Sequence, residues 1–426
     1  MTKGLELLKT LPATHERTQH ELMLQATLGS ALVATKGYAA PEVVQTYTRA
    51  RELCQQSGET PQLFPVLAGL WRFYFVRAEL QTTRELAEQL LSLAQNRPDL
   101  DLLLPAHLMQ GLVLFELGEL PAAHAHLEQS LNLSDPQKYR PDRFSAVLYG
   151  EDPLVIGLSY TALALWYLGY PAQAQKSIHA ALTLAHALAY PFSLAFALHF
   201  AALVHRFRGE GQATQERAEA VMALSHEQGF PFWSADGAIL RGWALTEQGQ
   251  GEEGVAQLHQ GLAAYRTTGA KLAWPYFLAL LAEAYEKVGQ AEEGLTVLAE
   301  ALATGQRTGE RMYEAELYRL KGELTLAQSS VQSLASSVTN PQPPAPSTQA
   351  EAEAEACFLK AINIARRQNA KSLELRAVMS LSRLWQRQGK REEARQLLAE
   401  IYGWFTEGFD TADLKEAKAL LEELAH

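Results

Sequence analysis

The chain has 426 residues, of which 47% are hydrophobic and 20% charged, and its formal net charge is −11. This composition is typical of a folded globular chain, and an acidic chain without a basic cluster argues against a nucleic-acid partner, because phosphate binding depends on Lys and Arg. Two cysteines exclude a disulfide framework and a four-cysteine zinc site, and no apolar run approaches the roughly 18 residues of a membrane span, so we expect a cytoplasmic protein without membrane contact.

Glycines recur along the chain at a fixed spacing. One series has steps of 40 residues and a second series falls halfway between its members: Gly169, Gly209, Gly249 and Gly289, then Gly229, Gly269 and Gly309. The segments between them are amphipathic at helical spacing, as in FLALLAEAYEKVG, and a glycine just past a helix end is the usual left-handed cap. The pattern predicts repeated helix–turn–helix units of 40 residues.

Taken in chain order, the repeat predicts three regions. Residues 1–15 contain KGLELLKTL, which aligns with the latter half of a repeat helix, and we expect a remnant of a preceding unit there. Residues 16–408 hold about nine units, with turns near positions 37, 78, 118, 169, 209, 249, 289, 329 and 389. Insertions interrupt them at 134–151 and at 328–350, the latter rich in Ser, Gln, Pro and Ala and expected to be a disordered loop. Residues 409–426 are amphipathic and predict a capping helix.

The positions of small residues refine the fold class. A small residue lies seven positions before most turn marks, and Tyr285 and Trp385 lie four before theirs. This register resembles the tetratricopeptide repeat, with longer helices because the period is 40 rather than 34. HEAT-like repeats share the 40-residue length but lack this Gly and Ala register. The resemblance implies an all-α, right-handed α-solenoid of about nine units plus a C-terminal capping helix, elongated and more than roughly 70% helical.

Several longer strings extend the resemblance. LLKTLPATHERTQHEL, GERMYEAELYRLKGELTL and IYGWFTEGFDTADLKEAKALLEEL look like the C-terminal region of bacterial signalling proteins that carry a class III adenylate/guanylate cyclase domain followed by an AAA/STAND-type ATPase. No G-x-x-x-x-G-K-[ST] occurs in the sequence, so neither activity is carried over to this chain. The resemblance implies a regulatory role beside such domains.

The side chains that could carry chemistry have simpler interpretations. His124 and His126 are two apart on a helix and point away from each other, and His179 and His186 have no Cys or carboxylate nearby to complete a metal site. There is no G-x-S-x-G and no H-E-x-x-H. We expect no catalytic residue, no metal and no cofactor, and hence a protein that is not an enzyme.

The resemblance also indicates where a partner would bind. In tetratricopeptide-like folds the first helix of each unit builds the concave wall, with inward positions 13, 10, 6, 3 and 2 before the turn. Carried onto this sequence, these positions give the candidate groove residues Ser159, Trp166, Tyr167, His199, Arg206, Phe207, Asp236, Trp243, Tyr276, Glu283, Arg319 and Arg383. The alternative is that the aromatic members only pack between helices.

Two functions follow from this wall. The first is a non-catalytic scaffold that binds a protein or peptide, with the cyclase and ATPase domains of a parent protein among its possible partners. The alternative is the small-ligand sensor domain of a STAND-type regulator, which binds its effector inside the superhelix. An open wall with scattered polar groups favours the scaffold. A closed aromatic pocket on the order of several hundred Å3 favours the sensor.

Overall fold

The computed structural model describes residues 2–12, 14–57, 61–96, 100–134, 152–336 and 348–426. The described residues form helices and no strands, and helices make up 84%, which confirms the all-α prediction. The helices are α1 (Thr2–Lys9), α2 (His15–Lys36), α3 (Pro41–Ser57), α4 (Leu63–Val76), α5 (Leu80–Asn96), α6 (Leu100–Glu116), α7 (Leu120–Asn132), α8 (Pro153–Leu168), α9 (Pro171–Leu188), α10 (Pro191–Phe207), α11 (Gly211–Gln228), α12 (Pro231–Glu247), α13 (Gly251–Thr267), α14 (Trp274–Lys287), α15 (Ala291–Thr308), α16 (Glu314–Ser336), α17 (Thr348–Gln368), α18 (Lys371–Arg387), α19 (Arg391–Tyr402) and α20 (Ala412–Ala425).

Several of these helices begin at a proline, and a glycine follows the end of several. α8, α9, α10 and α12 each begin at a proline, whose fixed φ suits the first helical position and whose missing N–H is not needed there. Gly169 follows α8 with φ 93°, a left-handed conformation that a side chain would strain. From α2 onward the helices pair as inner and outer members of successive units, and α20 follows the last pair, as the tetratricopeptide-like register predicts.

Small residues mark the points where paired helices cross. A Cβ added to Gly242 on α12 would lie 2.8 Å from the backbone nitrogen of Leu258 and 2.9 Å from the carbonyl oxygen of Gly254 on α13. No side chain fits between backbones at this distance. The small positions of the repeat therefore set the spacing between the two helices of a unit.

The structure describes most of the second insertion's flanks as helix and describes almost none of the first insertion. The turn expected near 329 is wrong, because α16 continues to Ser336, about two turns past that position. Residues 328–336 and 348–350 of the expected disordered loop are helical, since Gln, Ser, Leu and Ala tolerate a helix and the first proline comes only at Pro341. Residues 337–347, and residues 135–151 of the first insertion, lie outside the described residues.

Successive turns of the superhelix are hydrogen-bonded to each other. The carbonyl oxygen of Val76, at the end of α4, accepts from the backbone nitrogens of Lys271 and Leu272 at 2.9 and 3.0 Å. The carbonyl of Glu116, at the end of α6, accepts from Arg311 and Met312 at 2.8 and 3.3 Å. Contacts therefore also join units that are not neighbours in the repeat, which a simple stack of units does not predict.

The same contact recurs toward the C-terminal end. The hydroxyl of Ser372, in α18, donates to the carbonyl of Trp166, in α8, at 2.5 Å. The backbone nitrogen of Ala412, at the start of α20, donates to the carbonyl of Arg208, just after α10, at 3.4 Å. In all four contacts an inner helix ends against the start of the helix ten further along, so five units complete one superhelical turn. The contact encloses the concave side as an interior.

Among the described residues, no helix combines the length and the apolar character that crossing a membrane requires.

A carboxylate from the far end of the chain caps one repeat helix. One oxygen of Glu407, in the segment before α20, accepts from the backbone nitrogens of Ala172 and Gln173 at 2.9 and 3.0 Å, at the start of α9. We expect E407A to lower the free energy of unfolding by about 1–2 kcal/mol, since an N-cap and its charge near the helix N-terminus are lost together. Urea denaturation measures this. E400A, at an exposed glutamate of α19, is the control, and equal losses in the two variants would contradict the cross-turn cap.

Candidate functional site

The structure places the candidate groove residues in the enclosed interior. Nine of the twelve are buried: Ser159, Trp166, Tyr167, His199, Arg206, Phe207, Asp236, Trp243 and Tyr276. Glu283, Arg319 and Arg383 are half-buried. Their role in binding stays a prediction, and the contacts described below show which of them the fold brings together.

Five of the predicted residues meet around one buried guanidinium. The side chain of Arg206, on α10, donates to Glu283 of α14 at 2.5 Å and to the hydroxyl of Tyr313 at 2.7 Å. The indole nitrogen of Trp243 donates to the second oxygen of Glu283 at 2.7 Å. The guanidinium carbon lies 5.2–5.5 Å from the centres of four rings, those of Phe207, Trp243, Tyr276 and Tyr313. We call this group the Arg206 cluster.

The charge of the Arg206 cluster is balanced internally. Burial lowers the pKa of the Arg206 guanidinium, but the Glu283 carboxylate together with Tyr276 and Tyr313 more than offsets burial and holds that pKa well above its ordinary value. The cation is therefore permanent, and its aromatic surroundings and its ion pair compensate for the water it has lost.

The remaining predicted residues have separate partners. Trp166 stacks on Phe207 with ring centres 4.3 Å apart, and the Tyr167 hydroxyl donates to the sulfur of Met312 at 3.2 Å. Arg319 pairs with Glu316 of its own helix at 2.8 Å, and Arg383 pairs with Glu416 of α20. The Ser159 hydroxyl donates to the carbonyl of Val155 one turn earlier at 2.7 Å.

An interior cavity of about 130 Å3 lies beside the Arg206 cluster. Phe207 and Tyr276 face both, and the rings of Phe196, Phe200, Trp233 and Trp71 line the rest of the cavity together with His199, Asp236 and Glu116. Phe196 and Phe200 are stacked with ring centres 4.5 Å apart, and Trp233 meets Phe196 edge to face at 5.4 Å. The walls come from both superhelical turns, so the cavity exists only because the superhelix closes.

Several polar atoms at this cavity are buried without a hydrogen-bond partner in the described part of the chain. They are Nδ1 of His199, Oδ1 of Asp236, Oε2 of Glu116, the hydroxyl of Tyr276 and the indole nitrogens of Trp71 and Trp233. His199 and Asp236 are neighbours, but the shortest distance between ring nitrogen and carboxyl oxygen is 3.8 Å, too long for a hydrogen bond. Buried polar groups are normally paired, so these atoms are available for hydrogen bonds to water or to a ligand in this space.

Burial shifts the pKa values of the titratable groups at the cavity toward their neutral forms. It lowers the pKa of His199 to about 3 and raises the pKa of Asp236 well above its ordinary value. Burial and the nearby Glu310 likewise raise the pKa of Glu116 well above its ordinary value. The cavity therefore presents a neutral imidazole and two carboxyl groups whose protonated form burial favours, and these groups can donate or accept hydrogen bonds.

Much of the cavity follows the inward register of the sequence. Phe196 lies 13 positions before Gly209, and Phe115 and Glu116 lie 3 and 2 before Gly118; these are the offsets that selected Tyr276, Arg206 and Phe207. The candidate groove residues did not include them, because that set was drawn from the central and later units and omitted most apolar inward positions. Trp233 and Trp71 lie at other offsets, and no signal in the repeat finds them.

No protein-family model matches the chain, and no curated protein matches it. Solved structures do resemble it. A Rap protein complexed with competence and sporulation factor has a TM-score of 0.59 at 9% identity, over 96% of this chain and 100% of that chain. The apo form of the quorum sensor NprR from B. thuringiensis has a TM-score of 0.50 at 12% identity, over 91% and 98%. The Rap conjugation gene regulator of the plasmid pLS20, in complex with the Phr* peptide, has a TM-score of 0.50 at 10% identity, over 95% and 96%. At these identities the likeness shows the fold alone.

The Arg206 cluster gives a prediction for stability. We expect E283Q to lower the free energy of unfolding by about 3–5 kcal/mol, because it leaves a buried guanidinium without its counter-charge. The double variant R206L/E283L removes both charges and should recover most of that loss. E247Q, which breaks the more exposed pair between Glu247 and Lys287, should cost no more than about 1 kcal/mol. Urea denaturation compares the variants, and equal effects of E283Q and E247Q would contradict a buried ion pair.

Glu310 gives a prediction for pH dependence. Burial raises the pKa of Glu310 from 4.5 to about 7, although its carboxyl accepts from the backbone of Ala273 and from Thr308. The folded state therefore holds this proton more tightly, so its contribution is full below pH 4.5 and is lost as the pH rises through 7. We expect stability to fall over this range, and E310Q to remove up to about 3 kcal/mol of the fall. Denaturation from pH 4 to pH 8 measures this, with E253Q at an exposed site as control. An unchanged slope in E310Q would exclude Glu310 as the source.

Proposed function

We propose that this chain is a non-catalytic sensor module that binds a small effector inside its closed superhelix. The observation that carries the proposal is the cavity of about 130 Å3 whose lining polar atoms have no partners among the described residues. The cavity is smaller than pockets that enclose drug-sized ligands, so the effector is a small molecule.

The energetics support a guest. Each unpaired buried polar group costs about 1–3 kcal/mol, and six such atoms around one space amount to a large fraction of the stability of a domain. A ligand that satisfies two or three of them recovers that cost on binding. The cavity is therefore poised to be stabilised by what it binds.

The walls of the cavity also carry the contacts between superhelical turns. Val76, Glu116, Leu272 and Met312 line the cavity, and their backbone groups form the hydrogen bonds that join the two turns. A ligand that contacts these side chains favours the closed spacing of the turns. Binding of the ligand in the cavity thereby changes the stability of the closed superhelix, and an attached domain can respond to that change.

The resemblance of the sequence supplies a context for such a signal. We propose that the module regulates the cyclase or ATPase domains of a signalling protein, in line with the strings noted near both ends of the chain. Such a role needs no catalytic group in the module itself.

A second candidate is a scaffold that binds a peptide on its outside. An external cleft of about 670 Å3 lies between superhelical turns, and its basic residues Arg77, Arg266, Lys271 and Arg307 outnumber its acidic ones, Glu79 and Glu300. This favours an acidic peptide. Among the similar structures, the Rap conjugation gene regulator is in complex with a peptide.

The test of the sensor is a comparison of cavity variants. Thermal unfolding of the whole chain is measured with a library of fragments of up to about nine heavy atoms. We expect some fragments to raise the Tm, since a ligand at 100 times its Kd adds about 2.7 kcal/mol. L203F, which places a ring in the cavity, should abolish the shift, whereas L397F on α19, outside the cavity, should preserve it.

Two outcomes would overturn the sensor. One is that no fragment raises the Tm, and the other is that L203F and wild type respond alike. A tetraglutamate peptide that binds wild type and loses affinity in K271E would, together with either outcome, favour the external scaffold.

A further inference from the structure

The walls of the cavity match the chemistry that binds organic cations. Aromatic rings attract a cation through their faces, and a carboxyl group without a partner supplies the counter-charge. We propose that the interior cavity binds a small aromatic amine as its ammonium form, with the ammonium held between Asp236, His199 and the ring of Trp233. This inference rests on the proposed sensor function and names the class of its effector.

The protein already uses this arrangement once. In the Arg206 cluster, four rings and the Glu283 carboxylate surround a cation that the chain itself provides. The cavity shares Phe207 and Tyr276 with that cluster and offers Asp236 in the place of Glu283. What the cavity lacks is an internal cation at Asp236, and the ligand supplies it.

The unpaired polar atoms fit an ammonium group. Asp236 Oδ1 and His199 Nδ1 are both unpaired and can accept hydrogen bonds, and the imidazole is neutral. The ring centres of His199 and Trp233 are 5.4 Å apart, so a group that lies between His199 and Asp236 is also near the indole. An ammonium that donates to Oδ1 of Asp236 can therefore lie beside both the imidazole and the indole ring.

The size of the cavity limits the rest of the ligand. An apolar cavity of roughly 150 Å3 is known to hold benzene. The cavity of about 130 Å3 is of that order, and the rings of Phe196, Phe200 and Phe115 form part of its remaining walls. One flat ring beside the ammonium fills it, whereas an extended peptide does not fit.

Other charged groups do not compete for this position. Glu116 lines the cavity from α6, and burial and the nearby Glu310 raise its pKa well above its ordinary value, which favours the neutral form. Arg72 lines it from α4, but it is half-buried and its guanidinium lies 5.5 Å from the ring centre of Tyr38. Tyr265 and Tyr276 carry raised pKa values because of burial and stay neutral.

The proton balance of binding is measurable. Burial raises the pKa of Asp236 in the empty cavity and so favours its protonated form, whereas pairing with an ammonium ion requires the carboxylate. Binding of the ammonium ion then releases up to about one proton per ligand to the buffer. A neutral ligand of the same shape releases none.

The experiment uses three probes of one shape on the whole chain: benzylamine, benzyl alcohol and benzoate. Isothermal titration at pH 7 in two buffers of different ionisation enthalpy gives both Kd and the number of protons released. We expect benzylamine to bind at least roughly 10-fold more tightly than the other two and to release about one proton. D236N, which keeps the shape and removes the charge, should weaken benzylamine roughly 10- to 100-fold and leave benzyl alcohol within about 3-fold.

W233F provides a second variant in case D236N folds poorly, since it removes only the indole and should also weaken benzylamine selectively. Equal binding of the three probes, or an unchanged Kd for benzylamine in D236N, would overturn this inference. The sensor function would still stand in that case if fragments raise the Tm of the wild type and not that of L203F. Absence of binding by every probe and fragment would overturn both, and the cavity would then hold water only.

Discussion

The closed superhelix depends on helix-end carbonyl groups that find their partners one superhelical turn later. The last carbonyls of a helix have no partner within it, and at a surface they bind water. Here the carbonyls at the ends of α4 and α6 accept from backbone nitrogens at the starts of α14 and α16. These bonds fix the pitch at five units a turn. They bring the two turns into direct contact, and most inward side chains of the central units become buried.

Closure changes what the inward positions must do. On an open solenoid a polar inward residue can remain hydrated, but in this interior it must be paired or be left unsatisfied. Arg206 is paired, because Glu283, Trp243 and Tyr313 come from units that the superhelix brings to it. Asp236 and His199 are close to each other and still unpaired. The contrast within one interior is the reason to assign the unpaired group to a ligand.

The sequence predicts the local structure well because the repeat is local. Glycine caps, small crossing residues and inward offsets act within one 40-residue unit, and they place α8 to α15 and identify His199, Arg206 and Asp236 as inward. The pitch of the superhelix is different, since it is the sum of small rotations over five units and no single residue encodes it. This accumulated rotation decides whether the molecule is elongated. It also decides whether Trp166 is buried and whether Trp71 and Trp233 line the same cavity. The extension of α16 to Ser336 could not be predicted for another reason: a Ser- and Gln-rich composition does not distinguish a loop from a solvated helix.

If the chain binds a ligand as proposed, ligand binding and superhelical closure are coupled, because they share residues. Glu116 contributes its carboxyl to the cavity and its carbonyl to the bonds with Arg311 and Met312, and Met312 lines the same cavity. A ligand that favours the closed turns must, by thermodynamic linkage, bind more weakly wherever those turns are separated. Any partner that separates the turns by docking between them, as at the external cleft beside Lys271, therefore opposes the ligand. The cavity inside and the cleft outside then both act on the equilibrium between closed and separated superhelical turns. The spacing of the turns responds to a ligand at either place.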